Sequence, residues 1–396
     1  MNVKNKAFDS LSEGPISEVE IAEWIDVVKQ SPELRDSLVE LLPERNLIFS
    51  NRSTNEAIRI KGYAMAAFEK TGLPEAAVPY VLDELENGRN AYLVAAAAKA
   101  LRGLAAPTSY FNPFLLRAIE NIKYVDDALT FDSYRPQWPT ESYTTALTEI
   151  FATFQWLGSQ AQDALPKLER MYADETDFSP KTRDEIKKAM DSISAIDKKV
   201  EVDCCSTLLS PTSSISPLLS VDCWYSEHQD AAKIAHIEFE DQDSSTLYFS
   251  DFFSGLPSIV VFFYSRCSNP NKCSLTITKL AKLQKIIREQ GLEMRLKTAA
   301  ITYDPDYDLS SRMKAYGENR GVLFNDRNRM LRTRTDLKRL QDYFQLGVNY
   351  NNTIVNRHRI ELFILDKNGS IAFSYTRLQW DIYEVLSHAK SLLTGL

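Results

Sequence analysis

From Ser17 to Ile196 the apolar positions of this chain return every third or fourth residue, in runs such as VEIAEWIDVVKQ, EAIRIKGYAMAAFEK, AYLVAAAAKALRG and YTTALTEIFATFQWLG. That period is the helical one and predicts a succession of amphipathic helices. Through CCSTLLSPTSSISPLLS the period lapses, so residues 199–233 read as a linker or irregular extension. Beyond it, strand and helix patterns alternate. AHIEFEDQD and TLYFSDF predict short strands, PSIVVFFYS a buried central strand, and SLTITKLAKLQKIIREQ a helix closed by Gly291. EMRLKTAAITYD predicts the next strand and DLSSRMKAYGENRG a second helix. After a long polar stretch, IELFILD and SIAFSY around KNG predict a hairpin before a last helix.

The first region also repeats itself. AAFEKTGLPEAAVPYVLDEL, from Ala66 to Leu85, aligns with ATFQWLGSQAQDALPKLERM, from Ala152 to Met171, and AAKALRGLAAPTSYFNPFLLRAI between them is a looser copy. Each copy places Gly72, Gly103 or Gly158 where a first helix should end, and Pro79, Pro113 or Pro166 where a second should begin. This pattern resembles HEAT repeats, whose helix pairs stack because one pair cannot bury its own apolar face. An irregular insertion, KYVDDALTFDSYRPQWP, interrupts it. The second region, in the order β-β-α-β-α-β-β-α, predicts a thioredoxin-like fold with an N-terminal extension. The expected organisation is therefore a multidomain α and α/β chain: residues 1–198 an α-helical HEAT-like solenoid, 199–233 a linker, and 234–396 a thioredoxin-like domain.

Charge adds one feature. The chain totals a formal −8, yet from Asp251 onward 22 Lys+Arg face 14 Asp+Glu, a local +8 that leaves −16 for residues 1–250. Two solvated surfaces account for it, and no nucleic-acid motif accompanies the basic half. The start, MNVKNKAFDSLSEGPISEVE, shows no apolar secretory stretch, and no run is long enough to span a membrane, so a cytoplasmic location is expected. Five cysteines in so long a chain do not make a disulfide scaffold.

The candidate chemistry lies in FFYSRCSNPNKCSLTITKLAKLQ. Cys267 leaves the C-terminal end of the buried strand and Cys273 opens the helix, at the edge where open α/β sheets react. The helix dipole, with Arg266 and Lys272 alongside, predicts a lowered pKa for Cys273. If SNPNK curls back, the two sulfurs can pair as a disulfide or hold a soft metal. Against this stands the reading of two unlinked thiols at a strand–helix junction. His358, in NRHRIELFILDKNGS just before a hairpin strand, would face the cysteine loop in a thioredoxin-like fold and complete a site with two sulfurs and one nitrogen. Cys204, Cys205 and Cys223 read as ordinary linker cysteines, and His228 and His236 as weakly supported extra ligands.

Together, FFYSRC…KCS, the strand end AITYDPDYD and RHRIELFILDKNG resemble the SCO/SenC family of copper-handling, thioredoxin-like proteins, over roughly residues 234–395. The resemblance implies copper bound by Cys267, Cys273 and His358, matches Asp304 and Asp308 to the family's acidic residues after the third strand, and implies a metallochaperone. Family members space their cysteines by three residues where this chain has five, and are generally membrane-anchored. The fused solenoid lies outside the common pattern and is expected to recruit a protein client. Copper, rather than zinc, is the expected metal. The competing function is a thiol-disulfide oxidoreductase or peroxidase using the Cys267/Cys273 pair. Against that reading, the spacing is wider than the redox motif, the peroxidase threonine three residues before the cysteine is missing, and His358 stands where thioredoxins place a proline.

Overall fold

The computed structural model describes residues 17–137, 140, 142–195 and 230–393. Cys204, Cys205, Cys223 and His228 lie outside the described residues. The chain divides into two compact units, Met1–Leu219 and Ser220–Leu396.

The first unit is built of helices: α1 (Glu18–Gln30), α2 (Thr54–Thr71), α3 (Val78–Asn87), α4 (Ala91–Leu101), α5 (Asn112–Ile122), α6 (Ala146–Leu157), α7 (Leu165–Ala173) and α8 (Pro180–Ser194). Capping boxes at Ser17 and Ser53 start α1 and α2, each satisfying two otherwise orphaned backbone donors. Pro79, Pro113 and Pro166 each occupy the first turn of α3, α5 and α7, where a missing N–H removes no helical hydrogen bond. The first helices of successive pairs form one layer, with α2 on α4, α4 on α6 and α6 on α8; α3 packs on α5 in the other. At the turn of the second pair, a Cβ on Gly103 would meet the Phe68 carbonyl oxygen at 2.0 Å, and the Gly103 carbonyl accepts from the Leu73 amide at 2.8 Å. Here a glycine lets successive helix ends cross. This helical, solenoid-like stack carries a buried Lys61 whose ammonium lies 3.0 Å from both Glu44 and Glu84. The insertion folds over the first layer: Tyr134 is buried and its hydroxyl donates to Glu18 at 2.8 Å.

The second unit is a mixed seven-stranded sheet. Its strands are β1 (Glu238–Asp241), β2 (Thr246–Tyr248), β3 (Ser258–Phe263), β4 (Lys297–Thr302), β5 (Asn328–Thr333), β8 (Glu361–Leu365) and β9 (Ile371–Thr376), and β6 (Val348–Asn351) pairs with β7 (Ile354–His358) as a separate ribbon. The sheet order is β2-β1-β5-β4-β3-β8-β9, with β3, β4 and β5 parallel and β8 antiparallel to β3. Every residue of β3 is buried. Its alternating side chains feed two cores, Ile259, Val261 and Phe263 on one face and Val260 and Phe262 on the other. Helices α9 (Leu275–Glu289) and α12 (Ile382–Ser391) cover the first face, and α11 (Leu337–Tyr343) contributes to the second. Helix α10 (Ser310–Glu318) follows β4. This is the thioredoxin-like fold anticipated from the strand and helix order. The long polar stretch, however, holds β5, α11 and the β6–β7 ribbon. The segment FSDF, anticipated as part of a strand, forms a helical turn at Phe249–Phe252. Among the described residues no helix is long and apolar enough to cross a membrane.

Candidate metal centre

Strand β3 ends at Phe263 and the chain turns at Tyr264–Cys267, the Cys267 amide donating to the Tyr264 carbonyl at 3.3 Å. The loop then winds through a helical turn at Pro270–Ser274 into α9, which brings Cys273 back beneath Cys267. His358 arrives from the other side, as the last residue of β7. The candidate donor atoms of Cys267, Cys273 and His358 all lie within 4.8 Å of one another. Sequence reasoning singled out these three residues, and the fold brings them together.

Their surroundings orient them. His358 Nε2 is 3.4 Å from Cys267 Sγ and 3.5 Å from Cys273 Sγ. Its Nδ1 is 2.9 Å from the Arg359 carbonyl oxygen, which can only accept; Nδ1 therefore carries a proton, and Nε2 is the nitrogen that faces the thiols. Tyr264 and Tyr303 flank the imidazole, with ring centroids 5.2 and 5.4 Å away. Behind them a buried carboxylate organises the support. Glu361 accepts from the Tyr303 hydroxyl, from Arg359 Nε at 2.7 Å and from the Gly347 amide at 2.8 Å, so the residue whose carbonyl holds His358 is itself fixed. Sequence reading passed over Glu361; a charged residue opening the otherwise apolar run ELFIL was the available signal.

The thiols are unequal. Cys267 is half-buried and Cys273 is 1% exposed. The hydrogen bond from the Cys273 thiol, with help from His358 and against the opposing effect of burial, holds the Cys267 thiol well below the usual range. Burial pushes the Cys273 thiol up, and proximity to Cys267 adds to that. This reverses the expectation that the helix N-terminus would lower Cys273. The residue lies in the turn before α9 and is fully desolvated, and burial outweighs the dipole.

The flanking charges also separate. The Arg266 guanidinium is bound by Asp304, with Nε 3.1 Å from Oδ2, so it braces the strand end rather than the thiols. Asp308 accepts from the Ser265 amide at 3.1 Å and the Thr302 hydroxyl at 2.6 Å. Both acids position the segment leading into Cys267, and neither belongs to the donor cluster. Lys272 is buried, and its Nζ donates to the His358 carbonyl at 3.0 Å. Gln379 Nε2 ties the loop again, at the Asn271 carbonyl, at 2.6 Å. His236 is exposed, pairs with Asp336 at 3.2 Å and lies outside the cluster.

Two cysteines and one histidine, largely buried at the C-terminal edge of a sheet with the imidazole held through Nδ1, form a soft donor set. Residues 226–394 match the SCO1/SenC family model. Among solved structures, the chain is similar to a SCO1/SenC family lipoprotein from Bacillus anthracis at 22% identity, covering 39% of this chain and 92% of that one with a TM-score of 0.35. It is also similar to Arabidopsis thaliana ScoI, solved with copper bound, at 16% identity, covering 41% and 99% of the two chains with a TM-score of 0.34. For yeast Sco1, also solved with copper bound, the identity is 20%, the coverage 39% and 87%, and the TM-score 0.31. No curated protein matches the sequence. Residues 226–394, which match the SCO1/SenC family model, thus hold Cys267, Cys273 and His358 and follow the helical stack in the chain.

Proposed function

We propose that the C-terminal unit is a copper-binding, SCO-like metallochaperone module in which Cys267, Cys273 and His358 hold the metal. The observation that carries this reading is the convergence of their three donor atoms within 4.8 Å, with His358 Nε2 turned toward both sulfurs. Soft thiolates favour Cu(I), and copper is the metal bound in the ScoI and Sco1 structures named above. The protein's contribution is to hold the donors before the metal arrives: Glu361 and Arg359 fix the imidazole, and the Lys272 and Gln379 tethers fix the cysteine loop. The helical unit recruits a protein client. In support, α1, α2, α4 and the insertion line a polar groove of about 580 Å³, with Asp26, Lys29, Glu69, Lys99, Phe131 and Tyr143 among its walls.

Native mass spectrometry of the reduced full chain with Cu(I) tests the metal reading. It should show one copper per chain, lost on Cys273→Ser; equal loading of the variant would overturn the reading.

The unequal thiols favour a second role on the same residues. A low-pKa, half-buried Cys267 above a buried Cys273 is the arrangement of an attacking and a resolving thiol, which suits thiol-disulfide exchange. Turnover of a disulfide substrate by the metal-free protein, abolished in Cys267→Ser and retained in His358→Ala, would identify that role.

A further inference from the structure

We propose that Lys272 is a positioning and charge-compensating residue of the Cys267–Cys273–His358 centre, selecting a monovalent over a divalent metal ion; this rests on the metal-binding reading above. Lysine is seldom buried without a specific partner, yet Lys272 is only 8% exposed. It is bonded in sequence to Cys273, and in space its Nζ donates to the backbone carbonyl of His358 at 3.0 Å. One cation thus joins both sides of the donor cluster.

The selectivity follows from counting charge. Two thiolates, a neutral imidazole and a monovalent ion sum to −1, whereas the same donors around a divalent ion sum to zero. A fixed cation stabilises the first relative to the second. This difference is independent of how many protons the thiols lose on binding, because the metal-free state is common to both. A unit charge a few ångströms away in a partly desolvated site changes the ratio of the two affinities by about tenfold to a hundredfold.

The test compares the full-length, reduced wild type with Lys272→Gln, which keeps a donor for the His358 carbonyl but removes the charge, and Lys272→Arg, which keeps the charge. Competition with calibrated chelators gives the affinities for Cu(I) and for Zn(II), a divalent probe that does not oxidise thiols. The Cu(I) to Zn(II) affinity ratio should fall at least about tenfold in Lys272→Gln and stay near wild type in Lys272→Arg. Circular dichroism checks folding, and Lys272→Met serves as a second neutral variant if the Gln side chain disturbs the loop. An unchanged ratio in a folded neutral variant overturns the charge assignment and leaves Lys272 a tether. An equal fall in Lys272→Arg also overturns it, in favour of geometry. A wild type that binds neither ion more tightly than Cys267→Ser overturns the metal-binding reading itself, and this proposal with it.

Discussion

Replacing His358 by alanine separates the two chemistries that the cysteine pair can support. The imidazole supplies the nitrogen donor, 3.4 and 3.5 Å from the two sulfurs, and nothing else in the donor cluster can replace it. Changing an outer partner of a ligating histidine typically weakens metal binding by about 10–100-fold, so deleting the ligand should weaken Cu(I) by at least about 100-fold. The imidazole also helps hold the Cys267 thiol low. An ordinary thiol is only about 0.3% ionised at pH 6, so wild-type Cys267 should alkylate far faster there than a free thiol, and His358→Ala should move the midpoint of its pH profile upward. The sign for stability is the same. Because the folded pKa lies below the unfolded one, ionised Cys267 stabilises the fold above the ordinary thiol range, and that contribution disappears as pH falls through the folded pKa. Truncation leaves a gap between Tyr264 and Tyr303 and frees the Arg359 carbonyl, a loss of about 1–3 kcal/mol, so the protein should remain folded. The Cys267–Cys273 disulfide should still form. Chelator competition, iodoacetamide kinetics and non-reducing peptide mapping read these outcomes. A variant with wild-type Cu(I) affinity would refute the reasoning.

Other consequences are simpler to check. Limited alkylation of the reduced, metal-free protein near neutral pH, mapped by mass spectrometry, should label Cys267 well before the buried Cys273; equal labelling would contradict the assigned burial. Lys61→Met strands Glu44 and Glu84 without their cation and should destabilise the helical unit by about 3–5 kcal/mol in urea unfolding, with Glu44→Gln in the same chain recovering part of the loss. Gly103→Ala puts a methyl against the Phe68 carbonyl and should cost about 1–3 kcal/mol or more by the same assay.

Much of this arrangement was readable from residue pattern alone. The all-apolar run of β3 and the 3.6-residue period of α9 marked the strand–helix junction that carries the cysteines, and the three prolines marked the second helices of the stack. What escaped was set by tertiary pairing. Strand β5, NRMLRT, shows no alternation because its arginines face carboxylates: Arg332 pairs with Glu240 at 3.0 Å, and Arg329 with Asp241. The β6–β7 ribbon is equally polar, and its role is to deliver His358. The upward push on the Cys273 thiol, where a lowered one was expected, had the same origin, since a local rule about helix ends could not anticipate that Cys273 would be covered.

The central claim is that three side chains from separate elements form one copper centre. A Cu(I) titration of the reduced full chain against a calibrated chelator, beside Cys267→Ser, tests it most directly. One tightly held copper per wild-type chain, lost in the variant, is the predicted result. Wild-type binding no tighter than that of the variant would contradict it.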